Sequence, residues 1–164
     1  RFTMDIYSNR LPVDTGQKIL LLEDIQDPGN IGALIRTAGA FGFSGILMTD
    51  SCADPLSPKC VQASAGTMLS VWLRRTKNYL KLTDELKHSG YLLVAAELNG
   101  EPETTVLRQQ NKLLLALGNE ASGLSEGVLA IADYRLRVPT DLEKIESLNV
   151  AACGAILMYI SWQR

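Results

Sequence analysis

The sequence predicts an α/β fold, a parallel sheet flanked by helices, and two patterns predict it. Short apolar runs without polar alternation recur at Ile19–Leu22, Gly45–Met48, Tyr91–Ala96, Leu113–Leu117 and Tyr134–Val138, with Ser70–Leu73 as a further candidate. Runs of this kind suit strands covered on both faces, as in a parallel sheet. Segments of helical spacing lie between them, and strands that alternate with helices give a layered α/β domain. The chain is 164 residues, 46% apolar and 21% charged, with a net charge of −2. That is one domain of ordinary size with a sizeable core, and it is too apolar to be disordered.

Each helix has its own signal. In Asn78–Ser89, Tyr79, Leu82 and Leu86 share a face, Lys81, Asp84, Glu85 and Lys87 lie outside it, and Gly90 follows as a C-terminal stop. Helices are also expected over Ile31–Phe41, near Ser125–Ala132 and over Ser147–Trp162. Residues 1–14 show no period, contain Pro12 and read as a linker. The uncharged run Ser147–Gln163 touches the lower length of a spanning helix, but its Ser, Asn, Gly and Gln residues make it a buried core or interface helix instead.

Composition excludes several classes. Three cysteines, Cys52, Cys60 and Cys153, without a CxxC pair, read as free thiols of a cytoplasmic protein. No leader pattern is present at the start. One histidine, His88, and scattered cysteines give no metal set and no nucleophile–histidine pair. A sequence pI of about 5.4 argues against a domain that grips nucleic acid by charge alone. Arg74, Arg75, Lys77 and Lys81 make a modest basic cluster, most simply a solvated face, with phosphate contact as the alternative.

Three strand-to-loop junctions carry polar groups suited to chemistry, since ligands of α/β sheets sit at the carboxyl ends of strands. In the first, Asp27-Pro28-Gly29 forms a turn and Asn30 is the expected N-cap of the next helix. Arg36 is the only charge between Asp27 and Asp50, on a helix rich in Gly32, Ala33, Ala38, Gly39 and Ala40. Small residues imply close approach of another backbone, and a covered guanidinium needs either a structural partner or a polar cleft. The second junction runs from Leu113–Leu117 into Gly118-Asn119-Glu120, where Glu120 is either a surface carboxylate or a group that orients a ligand. No GxGxxG or GxxxxGK[ST] phosphate loop is present. The third, Arg135 to Asn149, opens the uncharged helix, with Ser147 or Asn149 as its cap or as ligand contacts.

Taken in order, these junctions resemble the three motifs of the SpoU-type RNA ribose 2′-O-methyltransferases of the SPOUT superfamily. Residues 27–42 match the first motif, residues 117–125 the second, and Ser147–Val150 the end of the third. The loop Val138-Pro139-Thr140-Asp141-Leu142 departs from the usual pattern and is one residue longer. The resemblance implies a C-terminal deep trefoil knot, S-adenosylmethionine as cofactor without metal, and a homodimer whose active site is completed near the subunit interface. It further implies that residues 15–164 form the catalytic domain and that residues 1–14 are the remnant of a missing N-terminal substrate-binding domain. Carried over by position, Arg36 acts on the ribose 2′-hydroxyl. Asn30, Glu120, Ser147 and Asn149 position it and the substrate. Leu117, Gly118, Asn119, Val138, Pro139 and Leu148 surround the methyl donor. The implied substrate is ribosomal RNA, with transfer RNA as runner-up. A non-catalytic RNA- or nucleotide-binding module on the same fold is the alternative of a different class.

Overall fold

Consecutive residues of the first strand, β1 (Lys18–Leu22), are buried on opposite sides: Leu20 and Leu22 in one apolar cluster, Ile19 and Leu21 in another. The same alternation holds in β2 (Gly45–Thr49) and β5 (Leu113–Leu117). This double burial is why these strands read as unbroken apolar runs. The computed structural model describes residues 5–141, 143–144 and 146–163. With β3 (Trp72–Thr76), β4 (Leu92–Glu101) and β6 (Tyr134–Leu136) they make one six-stranded sheet, in the order β3-β2-β1-β5-β4-β6. Every pairing in it is parallel.

Helices α1 (Pro28–Ala40) and α5 (Val150–Trp162) cover the face that holds Leu20 and Leu22. Helices α3 (Tyr79–His88) and α4 (Glu126–Ile131) cover the other. The small residues of α1 do admit a close neighbour, α2 (Pro58–Ser64). A Cβ on Gly32 would lie 2.5 Å from Ala63 Cβ and 2.6 Å from the Cys60 carbonyl oxygen.

Several boundaries differ from the expected ones. Strand β3 starts at Trp72 rather than Ser70, because a 3-10 turn at Thr67–Leu69 runs into Ser70. Strand β4 continues to Glu101, and β6 stops at Leu136. Helix α2 has seven residues, too few for a visible period. Helix α1 begins at Pro28 and is capped by Asp27, whose carboxylate accepts the Gly29 N–H, so Asn30 is inside the helix rather than its cap.

Only Lys77 and Lys81 of the basic cluster are exposed. Arg74 is 8% exposed and donates from its guanidinium to the carbonyls of Arg10 and Leu73, while Arg75 donates to the Cys52 carbonyl. From Asp5 the N-terminal segment lies along the edge strand β3: Arg75 N–H bonds to the Ile6 carbonyl, and Thr76 donates its hydroxyl to Asn9. Ile6 is 2% exposed in the main core. No helix among the described residues is long and apolar enough to cross a membrane.

Candidate functional site

The carboxyl ends of β4, β5 and β6 open into a cleft of about 290 Å³. One wall is the loop after β5. The Asn119 side chain builds it, since its Oδ1 accepts the N–H groups of Ala121 and Ser122 and its backbone carbonyl accepts Gly123 N–H. Gly123 takes a left-handed φ of +68°, which suits glycine. Gly118 has no room for a side chain: a Cβ would lie 2.4 Å from Gly123 C and 2.5 Å from Leu124 N. The strand end therefore presents main chain, not side chain, to the cleft.

A second wall is the chain between β6 and α5, including Val138, Thr140, Ser147 and Leu148. Leu142 and Ile145 of that segment lie outside the described residues. The third wall is a bulge in β4. Leu136 pairs with both Ala96 and Glu101, so Glu97, Leu98 and Asn99 swing out to line the cleft. Cys153 faces it from α5, and burial pushes the pKa of that thiol up.

The three sequence junctions converge here. Leu117, Gly118, Asn119, Glu120, Val138, Ser147 and Leu148 line the cleft. Pro139 is exposed beside it and is not part of the lining. Asn30 donates its amide to Glu120 Oε1 at 2.7 Å, and Asn149 donates to Asn30 Oδ1 at 3.2 Å. The Oδ1 of Asn149 is the N-cap of α5, accepting from Ala151 and Ala152. An amide–amide–carboxylate chain thus ties residues 119 positions apart and fixes Glu120 at the rim. Each donor in it has one orientation, because the opposite end of its amide is already engaged.

Arg36 is the exception. It is exposed on α1, outside the cleft, and pairs with no described residue, so the largely covered helix expected there is open at this position. His88 bonds to Asp84 within its own helix, far from the cleft lining. Among the described residues no group of three or more His, Cys, Asp or Glu side chains is placed to hold a metal ion. Sequence reasoning missed Glu23, which joins β1 to this loop, and the β4 bulge. The signals were slight: the first charge after an apolar run, and Gly100, whose Cβ would strike the Leu136 backbone at 2.6 Å.

Comparison with known proteins agrees with this architecture. The family described as SpoU rRNA Methylase matches residues 17–159. The 23S rRNA (guanosine(2553)-2'-O)-methyltransferase RlmP of Bacillus subtilis is 36% identical over 146 residues, which is 88% of this chain and 58% of that protein. The SpoU methyltransferase AviRb of Streptomyces viridochromogenes, solved in complex with AdoMet, superposes with a TM-score of 0.83 at 28% identity, over 92% of this chain and 61% of that one. An RNA methyltransferase structure of the TrmH family from Porphyromonas gingivalis gives a TM-score of 0.83 at 34% identity, over 93% and 62%. The chain spans less than two thirds of each of these relatives. With the second and third motifs at one cleft, the first joined to it through Asn30, and the family matched over nearly the whole length, this chain belongs to the SpoU rRNA Methylase family.

Proposed function

We propose that this chain is the catalytic part of an S-adenosylmethionine-dependent RNA methyltransferase that acts on a ribose 2′-hydroxyl, with ribosomal RNA as the substrate. The observation that carries the reading is the hydrogen-bonded chain Asn149–Asn30–Glu120 at the rim of a cleft whose floor is the bare backbone of Gly118. The family description and RlmP both name ribosomal RNA, and the AviRb complex holds AdoMet, which supports the same cofactor here.

The residues present fit that cofactor. Apolar walls from Leu117, Val138 and Leu148, and a strand end at Gly118 that carries no side chain, suit a nucleoside with an apolar flank. When bound, S-adenosylmethionine supplies a methyl group on a positively charged sulfur. The protein's task is alignment of the ribose oxygen, worth up to roughly 7–11 kcal/mol in well-oriented systems. Glu120, Asn30 and Asn149, with Ser147 beside them, hold the ribose and its neighbours in place. Arg36, which lies exposed outside the cleft of its own chain, serves once a second copy brings it to the site: there it stabilises the negative charge that develops on the 2′-oxygen, as an electrostatic partner and not as a base.

The same reading extends to assembly. Ile156, Tyr159 and Trp162 of α5 are 39%, 46% and 56% exposed, and the Phe41 ring packs at a tilt against the last two. The apolar face of α5, with Arg36 exposed on α1 outside the cleft, supports a homodimer in which the second copy covers this face and Arg36 joins the site. The segment that leaves β6 at the sheet edge and lines the cleft opposite the 118–125 loop before entering α5 supports a trefoil knot there. The shortfall against the relatives' lengths leaves room for a further substrate-binding domain, and three free thiols support a cytoplasmic location. Calorimetry with S-adenosylhomocysteine in the presence of a chelator tests the cofactor assignment: one site per chain is expected, and no heat at millimolar ligand refutes it.

A further inference from the structure

Glu23 ends β1 as a buried carboxylate, 6% exposed, and no basic side chain among the described residues pairs with it. Its partners all belong to one residue of the cleft loop. One carboxylate oxygen accepts the Ser125 N–H, and the other accepts the Ser125 hydroxyl at 2.8 Å. That hydroxyl in turn caps α4 by accepting Val128 N–H. A buried carboxylate without a cation is costly, and a core built only for stability does better with an apolar or neutral side chain.

The next residue grips the other end of the same loop. The Asp24 carbonyl accepts the Asn119 amide at 2.7 Å. To aim it there, Asp24 adopts a φ of +55°, uncommon outside glycine, and is held in it by Thr49, whose hydroxyl accepts the Asp24 N–H and donates to Asp24 Oδ1. Strain of this kind persists where surrounding bonds over-determine it, and it gathers at functional sites. Between these two anchors, residues 120–123 are exposed, the backbone bonds within the loop are all local to Asn119, and the one further tie is the Asn30 amide on Glu120. Tyr79, whose buried hydroxyl has no partner among the described residues, has its pKa raised first by burial and then by the nearby Glu23 carboxylate.

We infer that Glu23 is a positioning residue: its carboxylate, through Ser125, clamps the 118–125 loop in the shape that the methyl donor's cleft requires. The inference rests on the proposed cofactor reading for its consequence, while the clamp itself is a property of the cofactor-free protein.

Hydrogen exchange, S-adenosylhomocysteine calorimetry and methyl-transfer kinetics on Glu23→Ala and Glu23→Gln test it. In cofactor-free Glu23→Ala, amides of residues 119–125 are expected to exchange roughly tenfold faster or more, the loss of a charge-assisted hydrogen bond, with β1 and α5 unchanged. The dissociation constant for S-adenosylhomocysteine is expected to rise by a similar factor, about tenfold, and KM for S-adenosylmethionine to move more than kcat. Glu23→Gln keeps an acceptor for the Ser125 N–H, folds with the same shape and recovers most of the affinity. If affinity and loop exchange stay at wild-type levels in both variants, the clamp is refuted. If exchange rises throughout the sheet and affinity falls only with the folded fraction, Glu23 is merely structural and the inference is equally overturned. Should the wild-type protein bind no S-adenosylhomocysteine, the cofactor reading fails by itself, and loop exchange still decides the clamp.

Discussion

Asp27 closes the amino end of α1 with a side-chain bond to Gly29 N–H, and the Gly29 N–H together with Lys59 at 3.6 Å holds its carboxyl below the ordinary carboxylate range. Asp27→Ala removes the cap and is expected to lower stability, measured by denaturant unfolding, while Asp27→Asn keeps most of it. The pH dependence follows from the direction of the shift. A carboxyl depressed in the folded state contributes stability above its unfolded pKa and loses it as pH falls through its folded one. The gap between wild type and Asp27→Ala is therefore expected at neutral pH and to close in acid. Single residues of the site were legible to different degrees. Gly118, Glu120 and Asn149 could be found because each sits at the end of a patterned segment within a motif. Glu23 could not, because its partner Ser125 is 102 positions away and neither residue's type announces the other.

At the scale of elements, the strands were readable because burial on both faces leaves no polar position, as in Leu113–Leu117, where every residue is buried. The sequence was silent on α2 because seven residues starting at Pro58 hold too few turns for a period, and on the β4 bulge because it is a matter of register rather than composition. The close packing that the glycines of α1 promised is met by α2, and it is tight. Gly32→Ala places a methyl against the Cys60 carbonyl, which is backbone and cannot swing away. Overpacking there is expected to cost roughly 1–3 kcal/mol in denaturant unfolding. Because α1 also carries Asn30, which holds Glu120, the same change is expected to weaken S-adenosylhomocysteine binding; unchanged stability refutes the packing account.

For the whole molecule, α5 has no polar face, and its outward side chains with Phe41 form an aromatic and aliphatic surface on the side of the sheet that bears α1. Light scattering is expected to give twice the 17.9 kDa chain mass at micromolar concentration, and Ile156→Glu with Trp162→Glu to give the monomer. A wild-type monomer contradicts the shared site. The net charge is −2, and with Arg74 and Arg75 engaged by backbone carbonyls, Lys77 and Lys81 are the part of the basic cluster left exposed to meet RNA.

The central claim is that this cleft methylates a ribose oxygen and that Arg36 acts there. Transfer of labelled methyl from S-adenosylmethionine to ribosomal RNA, followed by alkaline hydrolysis, tests it directly, since a 2′-O-methyl group blocks cleavage of the adjacent phosphodiester. The account predicts label in alkali-resistant dinucleotides with the wild-type protein. With Arg36→Ala it predicts loss of that label while S-adenosylhomocysteine affinity is unchanged. Label released as mononucleotides, or undiminished transfer by folded Arg36→Ala, contradicts it.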